Sequence, residues 1–193
     1  NKDDSTNNNP LVCGATRGSV ENNIGNIGYG GGESVDIIMD SGAADHVCRE
    51  QFAKDYPTKP GPTMALVTAS GQNIENGGIR KVLLQPKDLT NWENQLMLNI
   101  PFRVTHGEGA VRGVVISMGK LTELKPGVHR RIVLDDKTGN YIINMLTGEA
   151  IPFRKSNGVY RLRATALSYE EAQNVCKTHI MPVEPGSSKD DTR

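Results

Sequence analysis

One stretch, an apolar run that ends in an acidic turn between Val35 and Ala43, constrains the fold of this chain more than any other feature. The run is rich in β-branched residues, so it predicts a buried strand. The strand leads directly into Asp40, Ser41 and Gly42, and a glycine here lets backbone N–H groups approach a carboxylate closely. We therefore predict that Asp40 is a rigidly held carboxylate suited to acid–base chemistry.

The same residues also fit an ordinary β-turn. In such a turn, Asp40 and Ser41 bond to their own backbone and Gly42 supplies a positive φ. The motif alone does not separate the two interpretations, so the elements that follow it must decide.

Length and charge exclude several classes of protein. The chain has 193 residues, and its 22 basic and 22 acidic side chains give a net charge of zero. A neutral chain lacks the positive charge that binding to nucleic acid or to an anionic membrane needs. No apolar segment has the length of a membrane span or of a signal-peptide core, so we expect an intracellular protein without a membrane partner. Because the first residue is Asn1, we expect a piece of a longer polypeptide.

The cysteines and histidines do not form a metal-binding pattern. Cys13, Cys48 and Cys176 are widely separated and lack a nearby partner at metal-ligand spacing. We predict reduced thiols, with a disulfide as the alternative, and neither a metal nor a cofactor. His46 is close to Asp40, but the other histidines are distant, so we interpret it as a surface imidazole or a buried one with a hydrogen-bond partner.

Composition divides the chain into three parts. Residues 1–33 are rich in Asn, Gly and Ser and too poor in apolar residues to bury a core, which predicts a flexible linker. Residues 34–165 carry the strand patterns and form the predicted domain. Residues 166–193 predict one short amphipathic helix, from Ser168 to His179, followed by a disordered tail.

Strand and turn signals fill the predicted domain. Two strand-like runs, 64–69 and 74–84, predict a hairpin around Gly71, which we call the flap. These residues fit both a hairpin that closes over a cleft and a static hairpin of an all-β core. The run from Arg49 to Asp55 has the polarity of a short helix. The apolar run 113–118 predicts a buried strand that continues into a short helix, and successive hairpins follow it.

This order of elements, together with two motifs, resembles the retropepsin-type aspartic peptidases. More narrowly, the segment from Ile38 to Val47 resembles the protease segment of copia-type retrotransposon polyproteins. The run from Val115 to Leu121 resembles the stretch that those polyproteins carry downstream of it. Only Gly119 of the usual second retropepsin motif is kept in this run, so its support of the active-site loop departs from the family pattern.

The resemblance implies an all-β, retropepsin-like half-barrel with a flap hairpin and one short helix. It also implies an aspartic-type endopeptidase that cuts its parent polyprotein, with Asp40 as the catalytic residue. The residues implied to support the active-site loop are Ser41, Gly42 and Ala43, and those implied to contact the substrate from the flap are Ala69, Ser70, Gly71 and Gln72.

Peptide hydrolysis of this kind needs two carboxylates that share one proton. The chain has one Asp-Ser-Gly motif, so the expected unit is a symmetric homodimer in which the Asp40 side chains of two copies meet. Such a pair titrates in two steps, so we expect the rate to be highest at acidic to mildly acidic pH. The implied location is cytoplasmic, virus-like particles included. The alternative is an inactive or domesticated module of the same fold that dimerises or binds peptide without cutting.

Overall fold

The fold is that of a computed structural model, which describes residues 32–62, 64–68, 71–87, 96–107, 109–123 and 129–179. Most of the predicted linker and the predicted C-terminal tail lie outside these residues, as do Cys13, Ala69 and Ser70. Strands dominate the described part, which confirms the all-β prediction. Within the same part, no helix has the length and apolar character needed to cross a membrane.

The described residues form one eleven-stranded sheet and two helices. The strands are β1 (Glu33–Asp40), β2 (Val47–Arg49), β3 (Thr58–Lys59), β4 (Leu66–Val67), β5 (Asn73–Pro86), β6 (Leu98–His106), β7 (Val114–Ser117), β8 (Arg130–Val133), β9 (Asn140–Asn144), β10 (Ala150–Ser156) and β11 (Val159–Ala166). The helices are α1 (Met118–Thr122) and α2 (Tyr169–His179), at the two places where the sequence predicts helix after a strand.

Six of the strands close into a ring. β1 pairs antiparallel with β11 and parallel with β7, so it lies between them. β7 pairs with β2, β2 with β6 and β6 with β5, and β5 returns to β11. The sheet therefore closes further than the half-barrel that we expected, because β11 pairs with both β1 and β5.

The remaining strands extend this ring at two places. β3 and β4 pair with successive parts of β5. On the other side, β10 pairs with β11 through Arg154–Ser156 and with β9 through Ala150–Phe153, and β8 pairs with β9. The hairpins predicted for the end of the domain are therefore observed.

A single core cluster joins the ring strands and α2. Ile37 and Met39 of β1 belong to it, and α2 contributes Ala172 and Val175. The helix begins with a capping box, because the Ser168 hydroxyl accepts the Glu171 N–H at 3.2 Å while the Glu171 carboxylate accepts the Ser168 N–H at 2.8 Å. The predicted amphipathic helix thus packs its apolar side on the core of the domain.

The short helix predicted between Arg49 and Asp55 is wrong. These residues form hydrogen-bonded turns, in which the Phe52 N–H donates to the Arg49 carbonyl at 3.1 Å. Ala53 has a φ of 48°, which a right-handed helix excludes. Phe52 is fully buried, and its ring packs edge-on against Phe102 with centroids 5.6 Å apart. Tertiary burial of this ring has overridden the local helical pattern.

Candidate active site

Asp40 is the last residue of β1, which buries only the face that carries Ile37 and Met39, so the prediction of a buried strand holds for one face alone. Along β1, Ile37 and Met39 are buried in the core, whereas Asp40 is exposed. β1 is paired on both sides, so two neighbouring strands hold the backbone that carries the carboxylate. A solvent-accessible carboxylate on a rigid element meets the first requirement of acid–base chemistry.

The turn after Asp40 contacts the carboxylate through the backbone. The Gly42 N–H donates a hydrogen bond to Asp40 Oδ1 at 2.7 Å. A Cβ atom at residue 42 would lie 3.4 Å from the same oxygen, which is close to ordinary van der Waals contact, so this approach does not itself require a glycine. Gly42 does not have a positive φ, in contrast to the turn glycine Gly139, whose φ is 101°. The positive φ of the ordinary β-turn interpretation is therefore absent, whereas its local hydrogen bond, in which the Asp40 carboxylate accepts a backbone N–H two residues on, is present.

Ser117, at the end of β7, fixes the far side of the active-site loop, which we define as residues 40–46. Its hydroxyl donates to the Ala43 carbonyl at 2.6 Å, and its backbone N–H donates to His46 Nδ1 at 3.1 Å. The same hydroxyl oxygen accepts the Lys120 N–H at 3.2 Å and so caps α1. Ser117 itself is only 1% exposed, and its bond to His46 is buried, whereas the bonds to Ala43 and Lys120 are partly buried. One buried residue thus ties the loop to β7 and α1.

The ammonium of Lys120, the basic residue of the weakly matching second motif, pairs with Glu123. Its Nζ lies 2.8 Å from Glu123 Oε1, and this hydrogen bond raises the pKa of Lys120 above its ordinary value. Support of the loop comes from Ser117 instead. The sequence contains a signal for Ser117 as the N-cap of α1, because a serine between an apolar strand and a short helix is a typical helix N-cap.

His46 is a structural part of the loop. It is 5% exposed, and its ring packs edge-on against Phe102 with centroids 6.2 Å apart. Because Nδ1 accepts the Ser117 N–H, this nitrogen carries no proton. The interpretation of His46 as a buried imidazole with a hydrogen-bond partner is confirmed. In the part of the chain that the structure describes, His, Cys, Asp and Glu side chains form no group that could hold a metal ion.

A buried ion pair lies at the end of the loop. Arg103 Nε is 3.0 Å from Asp45 Oδ2, and the two side chains are 3% and 13% exposed. The second oxygen, Asp45 Oδ1, accepts the His46 N–H at 2.9 Å. Arg103 also donates from Nη1 to the Pro62 carbonyl at 2.9 Å. Arg103 was missed in the sequence, since 58 residues separate it from Asp45 and no local pattern marks it.

Ser41 is exposed, and within the described residues its hydroxyl makes no hydrogen bond to Asp40. The predicted role of Ser41 in orienting the carboxylate therefore stays a prediction. Ala43 contributes its backbone, because its carbonyl oxygen accepts the Ser117 hydroxyl. Of the three residues implied to support the loop, Gly42 and Ala43 make the contacts that tie it together.

The flap is a hairpin of β4 and β5, with Leu66 opposite Ile74 in the register. Its turn is closed by local bonds, of which the Gly71 N–H to the Thr68 carbonyl measures 2.9 Å. Gly71 has a φ of 83°, a conformation that favours glycine. The hairpin prediction is confirmed, whereas substrate contact by Gly71 and Gln72 stays a prediction; Ala69 and Ser70 lie outside the described residues.

The register identifies the surface beside Asp40. Ile38 points to the same face of β1 as Asp40, because side chains alternate along a strand. Its partners in the register are Val115 on β7 and Arg161 on β11, and all three are half-buried. Arg161 Nη1 also lies 3.1 Å from Asp36 Oδ2. The apolar strip of Ile38 and Val115, flanked by the paired Arg161, therefore adjoins the carboxylate. Arg161 was missed in the sequence because β11 lies at the distant end of the domain.

Comparison with known proteins does not identify a relative. No family model matches the sequence, and neither the curated proteins nor the solved structures contain a significant match. A functional assignment therefore depends on the sequence motifs and on the contacts described above.

Proposed function

We propose that this chain is an aspartic endopeptidase that hydrolyses peptide bonds as a homodimer, with Asp40 of each copy forming the catalytic pair. The observation that carries the proposal is the support of the Asp40 turn. The carboxylate is exposed and accepts the Gly42 N–H at 2.7 Å, while the hydroxyl of the buried Ser117 donates to the Ala43 carbonyl of the loop. A carboxylate fixed in this way loses little freedom when it aligns with a second carboxylate and a water molecule.

The dimer follows from the chemistry. Aspartic peptidases use one carboxylate as a base and a second as an acid, and the two share one proton. The sequence contains one Asp-Ser-Gly motif, at Asp40. A symmetric pair of chains supplies the second carboxylate from the same residue of the other copy.

In the proposed reaction, the ionised Asp40 removes a proton from a water molecule as the water oxygen bonds to the peptide carbonyl carbon. The protonated Asp40 of the other copy gives its proton to the carbonyl oxygen. The tetrahedral intermediate then collapses, the C–N bond breaks, and the departing nitrogen receives the proton that came from water. A hydroxyl proton of the intermediate returns to the other carboxylate, so the pair again holds one proton.

The surface beside Asp40 supports a peptide substrate. Ile38 and Val115 are half-buried apolar residues on neighbouring strands, next to the carboxylate in the register. Such a strip suits apolar side chains of an extended peptide. The resemblance to copia-type polyproteins adds the substrate class, which is the parent polyprotein.

The test is cleavage of a parent-polyprotein fragment by the wild type and by Asp40→Asn, from acidic to neutral pH, with and without pepstatin. We expect the wild type to cut fastest at acidic to mildly acidic pH, because the shared proton is lost at higher pH. We expect pepstatin to inhibit it and Asp40→Asn to be inactive. A folded, dimeric wild type that cuts nothing would instead favour the inactive peptide-binding module. Cleavage that persists in Asp40→Asn would overturn the assignment of Asp40.

A further inference from the structure

Arg103 contacts two regions of the fold that are distant in sequence. Its guanidinium Nε lies 3.0 Å from Asp45 Oδ2 at the end of the active-site loop. Its Nη1 donates at 2.9 Å to the carbonyl of Pro62, which lies in the connection between β3 and β4 that leads into the flap. Its backbone N–H also donates to the His46 carbonyl at 2.8 Å. One residue of β6 is therefore bonded to the loop and to the connection that leads into the flap.

The two side-chain contacts require an arginine. The planar guanidinium presents several N–H donors in a fixed arrangement, so it can serve a carboxylate and a carbonyl at the same time. A lysine ammonium concentrates its donors at one point and cannot span both acceptors in the same way. Because the Arg103 side chain is only 3% exposed, water does not easily replace a lost partner.

A chain of hydrogen bonds continues from this ion pair toward Asp40. Asp45 accepts the His46 N–H at 2.9 Å, and the His46 ring accepts the Ser117 N–H at 3.1 Å. Ser117 in turn donates to the Ala43 carbonyl at 2.6 Å. Ala43 directly follows Gly42, whose N–H contacts the Asp40 carboxylate. These bonds link Asp45 to the backbone segment that contacts Asp40.

We propose that Arg103 is a positioning residue that couples the flap to the active-site loop. Movement of the first arm of the flap is transmitted to the preceding connection and its Pro62 carbonyl, and the guanidinium carries that movement to Asp45. The kinetic consequence rests on the proposed peptidase function. The coupling itself is a property of the fold and can be measured without a substrate.

Arg80 offers a matched control for Arg103. It is also a buried arginine, 6% exposed, and its Nη1 donates to the Glu50 carbonyl at 2.9 Å. Its Nε donates to Thr58 Oγ1 at 3.1 Å, so it contacts β3 at the base of the flap. No contact observed for it reaches the active-site loop. Arg80→Lys therefore makes the same chemical change at a comparable burial, without the proposed coupling.

The first experiment compares Arg103→Lys with Arg80→Lys in thermal denaturation and in peptide cleavage. We expect similar losses of thermal stability in the two variants. We expect kcat to fall about tenfold to a hundredfold in Arg103→Lys with a smaller change in KM, since the carboxylate is misaligned, and to fall less in Arg80→Lys, which keeps the Arg103–Asp45 contact. An equal loss of kcat in both variants at equal stability would assign Arg103 a structural role only and overturn the proposal.

The second experiment measures the coupling by amide hydrogen exchange. Thr68→Ala loosens the flap turn, because Thr68 Oγ1 accepts the Gln72 N–H at 3.0 Å. With Arg103 present, we expect this change to speed exchange of the buried Ser117 amide by about threefold or more, and in the Arg103→Lys background to leave it unchanged. The same effect in both backgrounds, or no effect in either, would overturn the coupling. If the wild type cuts no peptide while the exchange result holds, the proposed function fails and the coupling stands.

Discussion

Two aspartate turns of this chain look alike locally and differ in what surrounds them. In one, Asp40 Oδ1 accepts the Gly42 N–H at 2.7 Å; in the other, Asp135 Oδ1 accepts the Lys137 N–H at 2.7 Å. Each turn also has a nearby hydroxyl that donates to a turn carbonyl, from Ser117 in the first and from Tyr141 in the second. The local hydrogen bond of the aspartate therefore does not distinguish the proposed catalytic turn from a structural one.

The surroundings do distinguish them. The Asp135 turn is a hairpin connection between β8 and β9, and its contacts come from residues close in sequence. The Asp40 loop is held by Ser117, 74 residues away from Ala43, and by Arg103, 58 residues away from Asp45. Contacts between residues this far apart in sequence fix a loop more firmly than its local hydrogen bonds alone. A catalytic carboxylate needs such a fixed position.

The largest contrast is expected in catalysis. Asp40→Asn removes the group that ionises, so we expect peptide cleavage to fall by about a thousandfold or more. Asp135→Asn makes the same change in the hairpin turn and should leave the rate unchanged. Both rates are measured on one polyprotein fragment at equal enzyme concentration. Equal rates for the two variants would remove the distinction between the turns.

A second contrast concerns the hydroxyl groups behind the two turns. Ser117→Ala leaves the Ala43 carbonyl and the Lys120 N–H without their buried partner, so we expect the free energy of unfolding to fall by about 1–3 kcal/mol. Tyr141→Phe removes an exposed bond to the Thr138 carbonyl, and we expect a loss below about 1 kcal/mol because water can replace it. Urea denaturation measures both. A larger loss in Tyr141→Phe would mean that burial does not set the cost.

The smallest effect is expected in the pH dependence of the free energy of unfolding at acidic pH. Backbone hydrogen bonds from Lys137 and Thr138 hold the pKa of Asp135 below its ordinary value of 3.8. The unfolded chain then binds a proton more readily, so the stabilisation is present above the ordinary pKa and is lost as pH falls through the lower folded value. Asp135→Asn should therefore make the free energy of unfolding less dependent on pH in this acidic range. Acid denaturation measures this dependence. If it is the same in Asp135→Asn as in the wild type, the turn does not stabilise the ionised form of Asp135.

Local sequence patterns predicted most of the elements. The strand before Asp40, the flap, the strand-to-helix step before Met118 and the helix after Ser168 all have short-range signals, such as alternation, turn residues and capping residues. The wrong helix between Arg49 and Asp55 marks the limit of this approach, because a buried ring and a positive φ decided the conformation there.

The candidate site was only partly predictable. Asp40 and Gly42 were found because their motif is contiguous in sequence. Arg103 and Arg161 were not, because they reach the loop and the neighbouring surface through strand pairings of β6 and β11. The closure of the ring was not predicted for the same reason, since no local pattern in β11 indicates that it pairs with both β1 and β5.

The most direct test of the central claim is a mixing experiment with the wild type and Asp40→Asn, refolded together at fixed total concentration. If two Asp40 side chains form one site, and chains pair at random, activity follows the square of the wild-type fraction. An equal mixture then retains about a quarter of the wild-type rate. If each chain carries a complete site, the equal mixture retains about half, and the proposed catalytic pair is contradicted.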